Sequence, residues 1–271
     1  MLSVGDIKAL KGKRQLTELN IASIEHAEAA EAAGIDIIVS GNISLRNKFR
    51  AAAPNTHFCF GLIYGQQVNS DEARRAAFEA LEAGADSIYC AMNFEIVEAM
   101  ARDGIPVVGH VGLIPQKARW TGYRAIGKTV EEAVKILRDV KSYESAGAFA
   151  VEMEVVPELV ATSISQMTPL TVISMGSGGG CDVQYLFALD VLGETTGRIP
   201  RHARAYRDFK SEFSRLHNER VTAFREFSKD VKNGTFPTDT QTVKLAPSEW
   251  RLIQSALGKE NAIHRSQTFG Y

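Results

Sequence analysis

Cysteine is scarce in this 271-residue chain: Cys59, Cys90 and Cys181 are odd in number, far apart, and set in apolar or glycine-rich stretches. That spacing fits neither a disulfide framework nor a zinc site, and a reducing, cytoplasmic setting is expected. Long apolar runs are missing too. None approaches the roughly 18 residues that span a bilayer, and no signal peptide opens the chain. Charge of one sign is not in excess, since 31 basic and 32 acidic residues leave a net charge of −1. Neither nucleic acid nor a membrane is therefore an expected partner. With 45% hydrophobic residues and no linker, the chain can bury one large core.

What is present is a repeated phrase: an alanine-rich amphipathic run, a glycine, then a short β-branched stretch. It reads AEAAEAAGIDIIVSG at 28–41, AFEALEAGADSIYCA at 77–91, VEAMARDGIPVVGHVG at 97–112 and SYESAGAFAVEMEVV at 142–156. Gly34, Gly84, Gly104 and Gly147 suit a left-handed helix cap. Nearly unbroken apolar strands between helices belong to parallel sheets covered on both faces. Eight strands are predicted at Gln15–Asn20, Ile35–Ser40, Thr56–Leu62, Asp86–Ala91, Val107–Gly112, Phe149–Val155, Leu170–Met175 and Tyr185–Leu192. Helices are predicted at Ser70–Glu82 and Thr129–Ser145, the latter with a T-x-E-E start. The pattern is that of an α/β chain folded as a (β/α)8 TIM barrel, with an additional C-terminal helical segment. The barrel with its C-terminal helices is expected over residues 1–237, and 238–271 form an extension with a short helix near Ser248–Leu257. Tyr206, Phe209, Phe213, Leu216, Phe224, Phe227 and Val231 recur at helical spacing on a long charged helix.

Two connections, Asn42–Asn55 and Pro115–Lys128, are too long for simple turns and suggest lids or binding loops. The second carries Trp120, Tyr123 and Arg124, a cation suited to sit over an acidic substrate. In a barrel the strand C-termini face the site. That selects Asn20, Asn42, Ser44, Leu62, Tyr89, Ala91, His110, Glu154, Ser177 and Asp182. Glu154 is the sharpest of these. Strand alternation puts Glu152 and Glu154 on one face, and a carboxylate on an apolar strand is costly without work or a partner. It is a candidate general base, or else a structural ion pair. His110, between Gly109 and Gly112 in VVGHVG, could polarise a carbonyl, or be a hydrogen-bonded core histidine. The run MGSGGGCD at 175–182 places backbone N–H groups of Ser177 and Gly178 where an anion could bind, although a glycine-rich turn needs no ligand.

Several motifs in order make a family resemblance. GIPVVGHVGLIPQ, GYRAIGKTVEEA, AGAFAVEMEVVP, MGSGGGCDVQ and VLGETTGRIP…VKNGTFP resemble the ketopantoate hydroxymethyltransferase family of the phosphoenolpyruvate mutase/isocitrate lyase superfamily, from about Lys13 to Pro237. The resemblance implies a (β/α)8 barrel, a symmetric homo-oligomer (often a decamer), and hydroxymethyl transfer from methylenetetrahydrofolate to a small 2-oxo acid. It puts the catalytic base on Glu154 and the site histidine on His110. The family's Mg²⁺ aspartates fall on Asn42 and Gly61, and its strand-four lysine and glutamate fall on Tyr89 and Ala91. The Mg²⁺ carboxylates are thus lost while the base remains, so no bound cofactor is expected and Mg²⁺ use is doubtful. Substrate contacts are then expected from Asn42, Ser44, Tyr89, Arg124, Ser177 and Gly178. The leading expectation is a diverged enzyme making or breaking a C–C bond next to a carbonyl. A non-catalytic paralogue binding a small acid or a protein partner, and a superfamily lyase or mutase on another acid, are the alternatives.

Overall fold

A computed structural model describes residues 1–268, with side chains through His264. Eight parallel strands close into a barrel in sequence order. They are β1 Leu16–Asn20, β2 Ile37–Ser40, β3 His57–Gly61, β4 Ser87–Tyr89, β5 Val107–Gly112, β6 Ala150–Glu154, β7 Thr171–Met175 and β8 Val183–Phe187, with β8 pairing back to β1. The helices are α1 Val4–Leu10, α2 Ile24–Ala33, α3 Arg46–Ala52, α4 Ser70–Glu82, α5 Phe94–Arg102, α6 Ala118–Thr121, α7 Val130–Ser145, α8 Glu158–Gln166, α9 Ala188–Leu192, α10 Phe209–Asn233 and α11 Pro247–Thr268. The predicted TIM barrel is therefore the architecture.

Strand parity sorts the core into two layers. Ile38, Phe58, Phe60, Ile88, Val107, Val151, Met153 and Val172 point outward and pack with helix residues such as Ala77, Val97 and Val140. Leu16, Ile37, Val39, Cys59, Val108, Ala150, Ile173, Met175, Val183 and Tyr185 fill the inside. Helix α1 adds Ile7 to that inner cluster and is fixed by a capping box between Ser3 and Asp6. The inward parity also carries polar residues into the barrel: Glu18 two positions after Leu16, His110 after Val108, Glu152 and Glu154 after Ala150.

Several boundaries differ from the sequence reading. The eighth strand ends at Phe187, and residues expected to extend it form α9, which Gly193 stops in the left-handed region at φ 70°. The Asn42–Asn55 connection contains α3, because Phe49 is fully buried with its ring 5.6 Å from that of Phe58. The C-terminal helix is longer than Ser248–Leu257, running from Pro247 to Thr268. The chain divides into two compact units, Met1–Lys210 and from Ser211 onward. That division falls before most of α10. In the second unit Phe213, Phe224, Phe227 and Val231 of α10 are exposed, and Phe227 meets the Phe236 ring edge-on.

Candidate active site

At the C-terminal mouth of the barrel lies a cavity of about 280 Å³. All eight strands contribute to its lining, β1 through Asn20 and β8 through Tyr185 and Phe187. Val39, Leu62, Ile63, Met175 and Phe187 supply apolar walls, while Tyr89, His110, Gln116, Glu152 and Glu154 supply the polar groups. Asn20 donates from its amide to the Tyr185 hydroxyl at 3.2 Å.

His110 is the hub. Its register neighbours across β5 and β6 are Glu152 for itself and Glu154 for Gly112, so both carboxyl groups reach the one imidazole. The Glu154 carboxylate is 3.3 Å from Nε2 and the Glu152 carboxyl 3.4 Å from Nδ1. Nε2 also lies 3.0 Å from the Leu113 carbonyl, and the Tyr89 hydroxyl 2.6 Å from Nδ1. A carbonyl can only accept, so Nε2 carries the hydrogen. In the neutral ring Nδ1 is then the acceptor, and Tyr89 donates to it. The ring is 3% exposed and has no freedom to turn.

Gly109 and Gly112 make this placement possible. A Cβ at Gly109 would lie 2.5 Å from the Tyr143 ring, and one at Gly112 would lie 2.4 Å from the Glu154 carbonyl. Gly112 also has φ 85°, a conformation that side chains resist. The chain turns sharply after Glu154, where Val155 has φ 51° and is the one non-glycine residue with positive φ among the described residues. A β-branched residue there is strained. The strain is held by the Val155 N–H donating to Met175 O, and by the Val156 N–H donating to the Ser177 hydroxyl.

Burial raises the acids. The Glu152 carboxyl sits well above the ordinary range, first from desolvation, then from its neighbours Glu18 and Glu154. Desolvation pushes Glu18, beneath it, up to about 8. Burial also lifts the Tyr89 and Tyr185 phenols well above 10.

The sequence-predicted residues divide cleanly. Glu154, His110 and Tyr89 come together. Asn42 does not line the cavity, although Gly41 does; its carboxamide oxygen accepts from the N–H and hydroxyl of Ser44 at 3.1 and 2.7 Å. Ser44 is exposed. The Ser177 hydroxyl is buried in a structural role, donating to Met153 O at 2.7 Å, and neither it nor Gly178 lines the cavity. Arg124 is turned away as well: it pairs with Glu132 of α7 at 2.6 Å and donates to Thr121 O and Ala125 O. Trp120 and Tyr123 of the same loop are exposed at 91% and 76%, so the cavity takes Pro115 and Gln116 from that loop instead. Asp182 lies at the opposite end of the barrel, in an ion pair with Lys11. Glu152, Glu18, Tyr185 and Gln116 were not among the predicted site residues. Inward parity on β1, β6 and β8 was the available signal for the first three.

The donors present do not fit a magnesium ion. Of the positions resembling the family's metal ligands, Gly61 and Ala91 have no donor, and the Asn42 oxygen is occupied by Ser44. Among the described residues no group of three His, Cys, Asp or Glu is placed to hold a metal. A hard cation requires carboxylate or other oxygen ligands in number.

Comparison with known proteins gives a consistent result. The sequence profile described as ketopantoate hydroxymethyltransferase matches residues 43–239. The chain is 31% identical over 261 residues to the 3-methyl-2-oxobutanoate hydroxymethyltransferase of Kosmotoga olearia, covering 87% of this chain and 95% of that one. It is 33% identical over 253 residues to the protein of that name from Pyrococcus abyssi, covering 84% and 87%. Among solved structures it resembles 2,3-dimethylmalate lyase, a PEP mutase/isocitrate lyase superfamily member, with TM-score 0.52 and 12% identity over 97% of this chain and 100% of that one. Phosphonopyruvate hydrolase in complex with oxalate and Mg²⁺ is similar at TM-score 0.50 and 14% identity over 99% of each. At those identities the structural likeness is one of fold. The chain belongs to the ketopantoate hydroxymethyltransferase family.

Proposed function

We propose that this protein makes or breaks a C–C bond next to the carbonyl of a small 2-oxo acid, by hydroxymethyl transfer or an aldol-type step, with Glu154 as base and without Mg²⁺. The observation that carries this reading is the contact of the Glu154 carboxylate with His110 Nε2 at 3.3 Å, at the mouth of a cavity sized for a small acid. Glu154 accepts the proton from the carbon beside the carbonyl, and the C–H electron pair moves into the enolate. Water releases the one-carbon unit of methylenetetrahydrofolate, the proposed co-substrate, as formaldehyde, leaving tetrahydrofolate. The enolate carbon then attacks the formaldehyde carbon, the C=O π pair moves onto oxygen, and that oxygen takes up the proton held by Glu154 to become the hydroxyl. His110, held by Leu113 O and Tyr89, keeps the base oriented. Loss of the metal-site carboxylates favours a second reading, a non-catalytic paralogue that binds a small acid. A buried acid–imidazole–acid array costs folding energy and has no use in such a protein.

A cytoplasmic homo-oligomer is part of the proposal. Three buried free cysteines and the exposed aromatic residues of α10 support it. Among the described residues no helix is long and apolar enough to cross a membrane.

The test is hydrogen exchange at C3 of 3-methyl-2-oxobutanoate in D₂O, followed by proton NMR, with and without methylenetetrahydrofolate. The wild type should exchange the proton. Glu154→Gln should slow it by roughly 10²–10⁴-fold while leaving the melting temperature close to wild type. Exchange at the uncatalysed rate with the wild type would refute the reading in favour of a binding protein.

A further inference from the structure

Glu152 is a cavity-lining acid that the proposed proton transfer leaves idle. It is 4% exposed, and among the described residues no Lys or Arg lines the cavity that it faces. The groups around it are a carboxyl or a weak acid on nearly every side. Glu18 approaches from β1, Cys59 from β3, Tyr89 from β4, His110 from β5, Glu154 from its own strand and Tyr185 from β8. One imidazole is the nearest thing to a cation, and it already serves Glu154 on its other nitrogen. Two or three carboxylates cannot all ionise in such a space. The most deeply placed ones keep their protons, as the upward displacement of Glu18 and Glu152 agrees.

Where that proton points matters. His110 Nδ1 has a single lone pair, and the Tyr89 hydroxyl takes it at 2.6 Å. The Glu152 oxygen stands 3.4 Å from the same nitrogen, beyond a normal hydrogen bond for that pair. Its proton is therefore uncommitted, and Glu152 lines the cavity. Glu18 Oε2, deeper still, has no partner at all.

We propose that Glu152 acts as a neutral carboxylic acid that donates a hydrogen bond to the oxygen of the enolate, beside Tyr89, in the role a metal ion would otherwise fill. This rests on the enolate-forming reading above. As Glu154 takes the proton from C3, the C–H pair becomes the C2–C3 double bond and the carbonyl π pair moves onto oxygen. The Glu152 O–H then meets growing negative charge and shortens its contact without transferring its proton. A preorganised neutral donor in a water-poor cavity stabilises an oxyanion strongly, and an acid kept protonated by an apolar site is a known way to supply one.

Two measurements on the full-length protein test this. The first is infrared difference spectroscopy at neutral pH, wild type minus Glu152→Gln, with Glu154→Gln and Glu18→Gln as controls. The carbonyl band of a protonated carboxylic acid should vanish in Glu152→Gln and persist in Glu154→Gln. Loss of a carboxylate band instead would overturn the proposal. The second is C3 exchange of 3-methyl-2-oxobutanoate. Glu152→Gln keeps a neutral N–H donor and should lose at most about tenfold in kcat, whereas Glu152→Leu should lose about 10²–10³-fold with little change in KM. The alkaline fall of the wild-type kcat profile should flatten in Glu152→Gln. Equal losses in the Gln and Leu variants, both folded, would exclude a donor role. If the wild type shows no exchange, the enolate-forming reading fails and this donor role with it, whereas a carboxylate band at Glu152 beside normal wild-type exchange removes only the donor role.

Discussion

At the scale of single residues, Arg124 shows how a chemically sensible assignment fails on geometry. A guanidinium on a long loop beside Trp120 and Tyr123 is what an acid-binding lid would carry. In the folded chain Glu132, which begins α7, accepts from Arg124 and from the N–H groups of Gly127 and Lys128. The arginine thus ties the loop to the helix, and those bonds hold the Glu132 carboxyl down at about 2. Arg124→Ala should leave saturation by 3-methyl-2-oxobutanoate unchanged and lower the melting temperature slightly. A marked rise in KM with no thermal change would restore the lid. His110 and Glu154 stand out in the sequence because each is a polar residue on a largely apolar strand, with glycine next to it or a proline three residues beyond.

At the scale of elements, period-two alternation on β1 and β6 puts Glu18 and Glu152 on the same strand faces as the candidates Asn20 and Glu154. Leu16, Glu18 and Asn20 share one face of β1, and Ala150, Glu152 and Glu154 share one face of β6. What alternation could not supply is which face is inside, because both faces of a barrel strand are apolar. The reading of apolar runs between helices, four of them in the repeated helix–glycine–strand phrase, placed seven strands to within two residues. It failed at the eighth because Ala188–Leu192 is as apolar as a strand, and only Gly193 marks it as a helix with a left-handed cap. The glycine-rich run after β7 was read as an anion cradle for the same kind of reason. Its chemistry suited an anion, while its position is set by packing: a Cβ at Gly180 would fall 2.0 Å from the Thr162 hydroxyl, and one at Gly178 would fall 2.4 Å from Glu158. Ser177 then works as a splice between β6 and β7, bonded to Met153 O and the Val156 N–H on either side of Glu154. Ser177→Ala leaves both backbone groups buried without that partner, a cost of about 1–3 kcal/mol. Turnover should fall with stability, since the strained turn at Val155 loses a restraint. A variant with normal melting temperature and weakened acid binding would instead make Ser177 a substrate contact.

The whole molecule carries the consequence of placing carboxyl groups inside its barrel. Glu18 keeps its proton in the fold up to about 8, while in the unfolded chain it ionises near 4.5. Between those values the folded state binds a proton that the unfolded state has released. Stability therefore falls as pH rises, by up to about 1.4 kcal/mol per pH unit for each such group. Glu152, raised by its burial and its neighbours Glu18 and Glu154, shifts in the same direction and adds to that slope. The buried His57 works oppositely, because burial lowers its pKa from 6.5. It costs stability as pH falls below 6.5 and contributes no slope above it. Carboxylates lowered by surface partners, such as Glu132, are already ionised in both states through this range. From pH 6.5 to 8 the slope thus belongs to the interior acids. Glu18→Gln keeps the shape of the side chain and removes the titration, so its melting temperature should change less with pH than that of the wild type, and should exceed it at pH 8. Thermal melts of both proteins at several pH values decide the matter. Parallel curves would mean that Glu18 is ionised in the fold and that water or a cation reaches the barrel interior.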